Sequence, residues 1–220
     1  MKRMMTVLAI AAFAAMPAAA QWAGMPVWNN PKGGTGITIN GDVGIPNSDA
    51  DKGTAYGARG TLGLANLSVT AGLATWKPDG FNESTTSFGA VAGFRVIGGS
   101  LLPISLNLQL GAGTASEVTS GSALLGTIPK TTNIIAGAGL GVNVPTPGVS
   151  IDPYLSISNR WHKPTGGSTE SNIGWTLGAN LGFGMLGLHV AYDSESRGGG
   201  VTNGIFGIGA HVALKAPIGM

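Results

Sequence analysis

The chain contains no cysteine, which excludes disulfides and thiolate metal sites alike. Charge is scarce: Asp, Glu, Lys and Arg make up 10% of the 220 residues, where a soluble domain carries about 25%. The apolar run near the start is too short to span a membrane as a helix. The first twenty residues have the layout of a cleaved export signal. Lys2 and Arg3 form a positive start, Met4 to Ala15 an apolar run, and Pro17-Ala18-Ala19-Ala20 a small-residue cleavage site with Ala18 and Ala20 at the Ala-x-Ala positions. Cleavage there would leave Gln21 first and take the 12 basic residues to 10, equal to the 10 acidic ones. The mature chain is then neutral, with no basic patch for nucleic acid.

Glycine, by contrast, is abundant at 38 residues. It shows no collagen-like triplet and alternates with apolar residues, which argues against low-complexity disorder. The pattern is clearest from Ile173 to Met185. Ile173, Trp175, Leu177, Ala179, Leu181, Phe183 and Met185 occupy the odd positions, and Gly174, Thr176, Gly178, Asn180, Gly182 and Gly184 the even ones. A period of two belongs to a strand, because successive side chains leave opposite faces of the pleat.

The same period predicts about ten strands: Gly36–Gly44, Ala55–Gly63, Leu67–Trp76, Ser87–Val96, Ile104–Gly113, Thr132–Val144, Ile151–Trp161, Asn172–Met185, Gly187–Asp193 and Asn203–Leu214. Residues 21–35 have no clean period and form an N-terminal lead-in; residues 215–220 form a tail. Links after odd strands are longer and polar, and those after even strands are tight. That rhythm is expected of an all-β, antiparallel up-and-down barrel over residues 36–214 whose two ends face different compartments.

Alternation alone does not say whether the apolar face looks at lipid or at a core. The polar face decides. A water-soluble barrel would carry Lys and Glu there, yet the predicted strands contain neither. Their charges, Asp42, Arg59, Arg95, Asp152, Arg160 and Asp193, fall on the polar phase together with His189 and His211. An Arg or Lys turned to lipid costs roughly 2–4 kcal/mol at mid-membrane, so a membrane enforces this segregation. These eight residues are expected in the lumen, as structural or pore-lining groups. We expect Arg160 to pair with Asp193 near the outer rim and Arg95 with Asp152 at the other end. Tyr56, Phe88, Trp161, Trp175, Tyr192 and Phe206 fall on the outward phase near the loop-side strand ends, with Phe94 and Phe183 near the opposite ends. Two such bands match interfacial girdles.

With this pattern the chain resembles the small outer-membrane β-barrel proteins of Gram-negative bacteria, in the broad class of OmpA-, OmpX- and Opa-like barrels. Gly207-Ile208-Gly209-Ala210-His211-Val212-Ala213-Leu214 has the spacing of the terminal assembly signal of such barrels, with Val212 and Leu214 where aromatics are usual. The resemblance implies an integral outer-membrane protein in contact with outer-membrane lipids and delivered by the outer-membrane assembly machinery.

The remaining motifs weigh against other chemistry. Gly137-x-Gly139-x-Gly141 and Gly178-x-x-x-Gly182-x-Gly184 lie inside strands with no helix following, unlike a nucleotide fingerprint. No cofactor is expected. The three histidines show no His-x-His or His-Glu-x-x-His spacing, so no metal site is expected either. His162, Glu170, Asp193 and Glu195 near the loop-side rim are candidates for an acid–base cluster, but they lie on separate segments. Ser194 and Ser196 lack a nucleophile elbow. The favoured function is a non-enzymatic structural or surface-interaction barrel. A narrow, porin-like pore for small solutes is the alternative, and an outer-membrane barrel hydrolase the third.

Overall fold

The computed structural model describes residues 35–99, 102–120, 126–197 and 199–214. The expected export signal, the lead-in up to residue 34 and the tail lie outside the described residues. Among the described residues thirteen strands occur in chain order: β1 (Gly36–Pro46), β2 (Thr54–Leu64), β3 (Leu67–Lys77), β4 (Thr85–Gly99), β5 (Leu102–Ala115), β6 (Val118–Thr119), β7 (Thr127–Ile128), β8 (Thr131–Val142), β9 (Val144–Thr146), β10 (Val149–Pro164), β11 (Glu170–Phe183), β12 (Leu186–Ser196) and β13 (Thr202–Leu214).

Ten of these form the barrel, each pairing antiparallel with its neighbours. Closure comes from β13 lying against β1, in a register from Ile37↔Leu214 to Pro46↔Ile205. The expected strand count and order are those observed, with ends displaced by up to three residues. One difference is physical. Met185 belongs not to β11 but to the tight turn after it, where Gly184 adopts φ +66°, a left-handed conformation that suits glycine.

A second difference is the β6–β7 hairpin, which lies in a stretch whose polarity reads as loop. Val118 and Ile128 bring apolar side chains to it, and they bury together with Ala55, Trp76 and Phe81. Trp76 lies on the inward phase of β3, and its indole N–H donates to the Lys52 carbonyl at 2.9 Å. The hairpin therefore packs at the loop end of the barrel, against the start of β2, the end of β3 and the link that follows it.

The orientation of the two faces follows from exposure. Leu177, Leu155 and Ile157 are 56%, 50% and 59% exposed on the outside, while Arg160 and Glu195 are 0% exposed within. Large apolar side chains cover the outside of all ten strands, far beyond the few hundred Å² of apolar patch that a soluble monomer shows. The fold is a hydrophobic core turned inside out.

Candidate functional site

The polar phase of the strands meets inside the barrel in two layers. In the layer nearer the loop end, Arg160 of β10 reaches across β11 to Asp193 of β12. Its Nη1 and Nη2 donate to Oδ1 and Oδ2, both at 2.7 Å. Arg160 Nε also donates to Ser158 Oγ at 3.1 Å, and Nη1 to Glu195 Oε2 at 3.3 Å. Thr176 donates to Asp193 Oδ2 at 2.5 Å. Glu195 Oε1 accepts from His162 Nε2 at 2.8 Å and Asn172 Nδ2 at 3.0 Å, and forms an ion pair with Arg197 Nε at 3.2 Å. His162 Nδ1 lies 2.7 Å from Asn133 Oδ1. Every carboxylate oxygen in this layer has a donor, the condition under which buried charge persists.

The second layer lies nearer the tight turns. Arg59 Nε donates to Asp42 Oδ2 at 2.8 Å, and His189 Nε2 donates to Asp42 Oδ1 at 2.5 Å. His211 lies beside His189, with ring centroids 5.7 Å apart and ring planes inclined by 23°. Buried Tyr154 of β10 sits at a level between the layers.

Glycines on the intervening strands make these contacts possible. Asp42, Gly209 and His189 are consecutive partners across β1, β13 and β12. A Cβ on Gly209 would collide with both His189 Nε2 and Asp42 Oδ1. Likewise a Cβ on Gly174 would strike the Arg160 guanidinium, and one on Gly178 the Tyr154 ring. Long polar side chains thus meet across a strand only where that strand has no side chain between them.

Two expectations about this interior need correction. Arg95 does not reach Asp152. Its Nη2 donates instead to the Ala65 carbonyl at 2.9 Å and to Asn66 Oδ1 at 3.1 Å, capping the β2–β3 turn. β5 and β8 stand between β4 and β10, and the oxygens of the adjacent β2–β3 turn are the nearer partners for the guanidinium. The second concerns His162, Asp193 and Glu195, whose separate segments gave no reason for proximity. The structure joins all three: Arg160 bonds both carboxylates, and His162 bonds Glu195. Glu170 stays at the rim, 45% exposed, 3.5 Å from Arg197. His162 is buried, with both ring nitrogens engaged.

Among the aromatics, Tyr56, Phe88, Phe94, Trp175, Phe183, Tyr192 and Phe206 are exposed on the outside, and Trp161 is half-buried there. Trp175 and Tyr192 face each other with centroids 5.7 Å apart.

Outside the barrel wall, the turn before β2 holds one unusual group. Asp51 has φ 57° and a buried Oδ2 without a hydrogen-bond partner, and burial raises its carboxyl above the usual range. A raised acid favours the fold at pH below its ordinary value, and that advantage is lost as pH rises through the raised one. Asp51→Asn, which tolerates the left-handed backbone, should therefore stabilise the barrel at pH 7 by roughly 0.5 kcal/mol, the scale of a surface substitution. The gain should vanish near pH 3. Denaturant unfolding of the two proteins at both pH values checks this.

Neither a protein-family model nor a curated protein sequence matches the chain. Solved structures do resemble it in shape. Neisserial surface protein A is 14% identical, with 82% of this chain and 98% of that one covered at a TM-score of 0.39. The KdgM porin, solved in complex with disordered oligogalacturonate, is 12% identical, with 80% and 99% covered at 0.42. The outer-membrane protease OmpT from Escherichia coli is 10% identical, with 82% and 94% covered at 0.44. A surface protein, a porin and a protease have three different tasks.

Proposed function

We propose that the chain is an integral outer-membrane barrel with a non-enzymatic structural or surface-interaction role, its interior an ion-paired core rather than a channel. The observation that carries this is the pairing of an apolar exterior with a filled bore. Asp42, Arg59, Arg160, His162, His189 and Glu195 are all at most 5% exposed. Eight-stranded barrels are filled by side chains, and open aqueous channels belong to barrels of about sixteen strands or more. Ten strands give an intermediate bore, and here it is crossed at two levels by bonded charges.

The loop end faces outward and the tight turns the periplasm, as in barrels of this kind. The outward aromatics lie at the two headgroup levels, and exposed Lys77 and Lys163 stand beyond the loop-side band, where a cation meets water and headgroups. Export through residues 1–20, delivery by the assembly machinery through the β13 pattern, and contact with outer-membrane lipids complete the reading. The occupied ring nitrogens and shielded side chain of His162 support a structural role for it.

Single-channel recording in a planar bilayer tests the function. A silent bilayer, with protein shown to be inserted by its heat-shifted gel mobility, is the expected result. A stable open state would instead favour the narrow pore.

A further inference from the structure

His189 and His211 lie 22 residues apart in sequence, on neighbouring strands and on the same inward face, displaced by two residues from direct pairing. Their Nδ1 atoms face each other at 3.4 Å. His189 is buried, and its other nitrogen donates to Asp42 Oδ1 at 2.5 Å. His211 is half-buried near the tight-turn end, on the side of the bore where Asp152 and Asn180 are also partly exposed.

We propose that His189 and His211 form a binding site for one divalent transition-metal ion of the zinc, nickel or copper class, entered from the tight-turn end. Three features of the geometry support it. Zinc–imidazole bonds are about 2.0–2.1 Å long, so two nitrogens 3.4 Å apart subtend an angle of about 110° at the ion. That is the tetrahedral value. Next, in the tautomer whose Nε2–H donates to Asp42 Oδ1, His189 presents its Nδ1 lone pair to the ion. This is the carboxylate–histidine–metal arrangement that fixes tautomer and ring orientation. Finally, imidazole suits zinc, copper and nickel, whereas magnesium and calcium prefer oxygen.

Proton accounting is simple. Without metal, His211 Nδ1–H can donate to His189 Nδ1. On binding, that proton moves to His211 Nε2, and the freed lone pair takes the ion with no net proton release. The Arg59 Nη2 atom, 3.2 Å from His189 Nε2, lies on the far side of the ring and is balanced by Asp42. The described residues contain no group of three or more His, Cys, Asp or Glu set to hold an ion. Solvent therefore completes the coordination, and the ion is exchangeable.

The test is calorimetric titration of the detergent-purified barrel with ZnCl2 and NiCl2, with copper EPR as the second readout. One saturable ion per chain is expected. Affinity should fall at least tenfold in His211→Gln and about 10–100-fold in Asp42→Asn, the cost of losing an outer partner of a ligand. The copper spectrum should show two nitrogen couplings in the native protein and fewer in His211→Gln. Asp42→Asn disturbs a buried ion pair, so half-buried His211→Gln, checked for native gel mobility, is the deciding variant. Absence of saturable binding, or affinity and nitrogen couplings unchanged in His211→Gln, would overturn the site.

Discussion

Arg160→Met should destabilise the barrel by about 3–5 kcal/mol, the cost of breaking a buried pair by removing one partner. Arg160 is 0% exposed and neutralises two carboxylates at once, Asp193 through two bonds of 2.7 Å and Glu195 through one of 3.3 Å. Its loss leaves the Asp193 carboxylate with the Thr176 hydroxyl as a donor but no guanidinium, in a space from which water is largely shut out. Against a typical net stability of about 5–15 kcal/mol, that is a large fraction. Adding Asp193→Asn to Arg160→Met should recover a good part of the loss, because the stranded charge goes with it. Denaturant unfolding of the barrel in lipid vesicles measures both. If the single variant unfolds at the native midpoint, the ion pairs do not hold the interior together.

The second large effect separates the two kinds of glycine in the wall. Gly209→Val should cost several kcal/mol, combining about 1–3 kcal/mol of overpacking with disruption of the Asp42–His189 contact. Gly41→Val, one strand away on the outward face, has nothing within 4 Å of its Cβ. It should be neutral or stabilising, since glycine inside a strand is a weak strand former. The same substitution on neighbouring strands should thus have opposite outcomes, read as the denaturant midpoint of each variant. Equal destabilisation would mean that the interior glycines are not there to make room for side chains.

This contrast also shows what was legible in the sequence. The period of two from Ile173 to Phe183 and the rhythm of long and short links specified a closed meander, because backbone geometry alone links them to strands and turns. The inward phase of Asp42, Arg59, Arg160 and Asp193 was legible for the same reason. The partners were harder to read. Arg160 and Asp193 could be matched as the two charges nearest one rim, but His162 and Glu195, 33 residues apart, lie on strands separated by β11, where Gly174 leaves room for the Arg160 guanidinium that bonds Glu195. The signal was present as a glycine on the polar phase of the middle strand, and it pairs side chains two strands apart. The histidine pair escaped for a related reason: spacing rules for metal ligands assume one chain segment, whereas His189 and His211 are joined by the register of β12 and β13. Arg95 misled because the turn oxygens of Ala65 and Asn66 that hold it are not visible in alternation, and the β6–β7 hairpin because two apolar residues in a polar loop are a weak signal.

The absence of cysteine makes the central claim open to direct measurement. Single cysteines at Leu155, Leu177 and Ile208, and at Asn180 and Thr61 on the inward phase, can be spin-labelled after reconstitution into lipid bilayers. Their collisions with oxygen, which concentrates in hydrocarbon, and with a water-soluble nickel chelate can then be compared. The first three should be oxygen-accessible and shielded from the chelate, and the last two should not gain oxygen access. Chelate collisions at Leu155, Leu177 and Ile208 as frequent as in free solution would contradict a hydrocarbon-facing exterior.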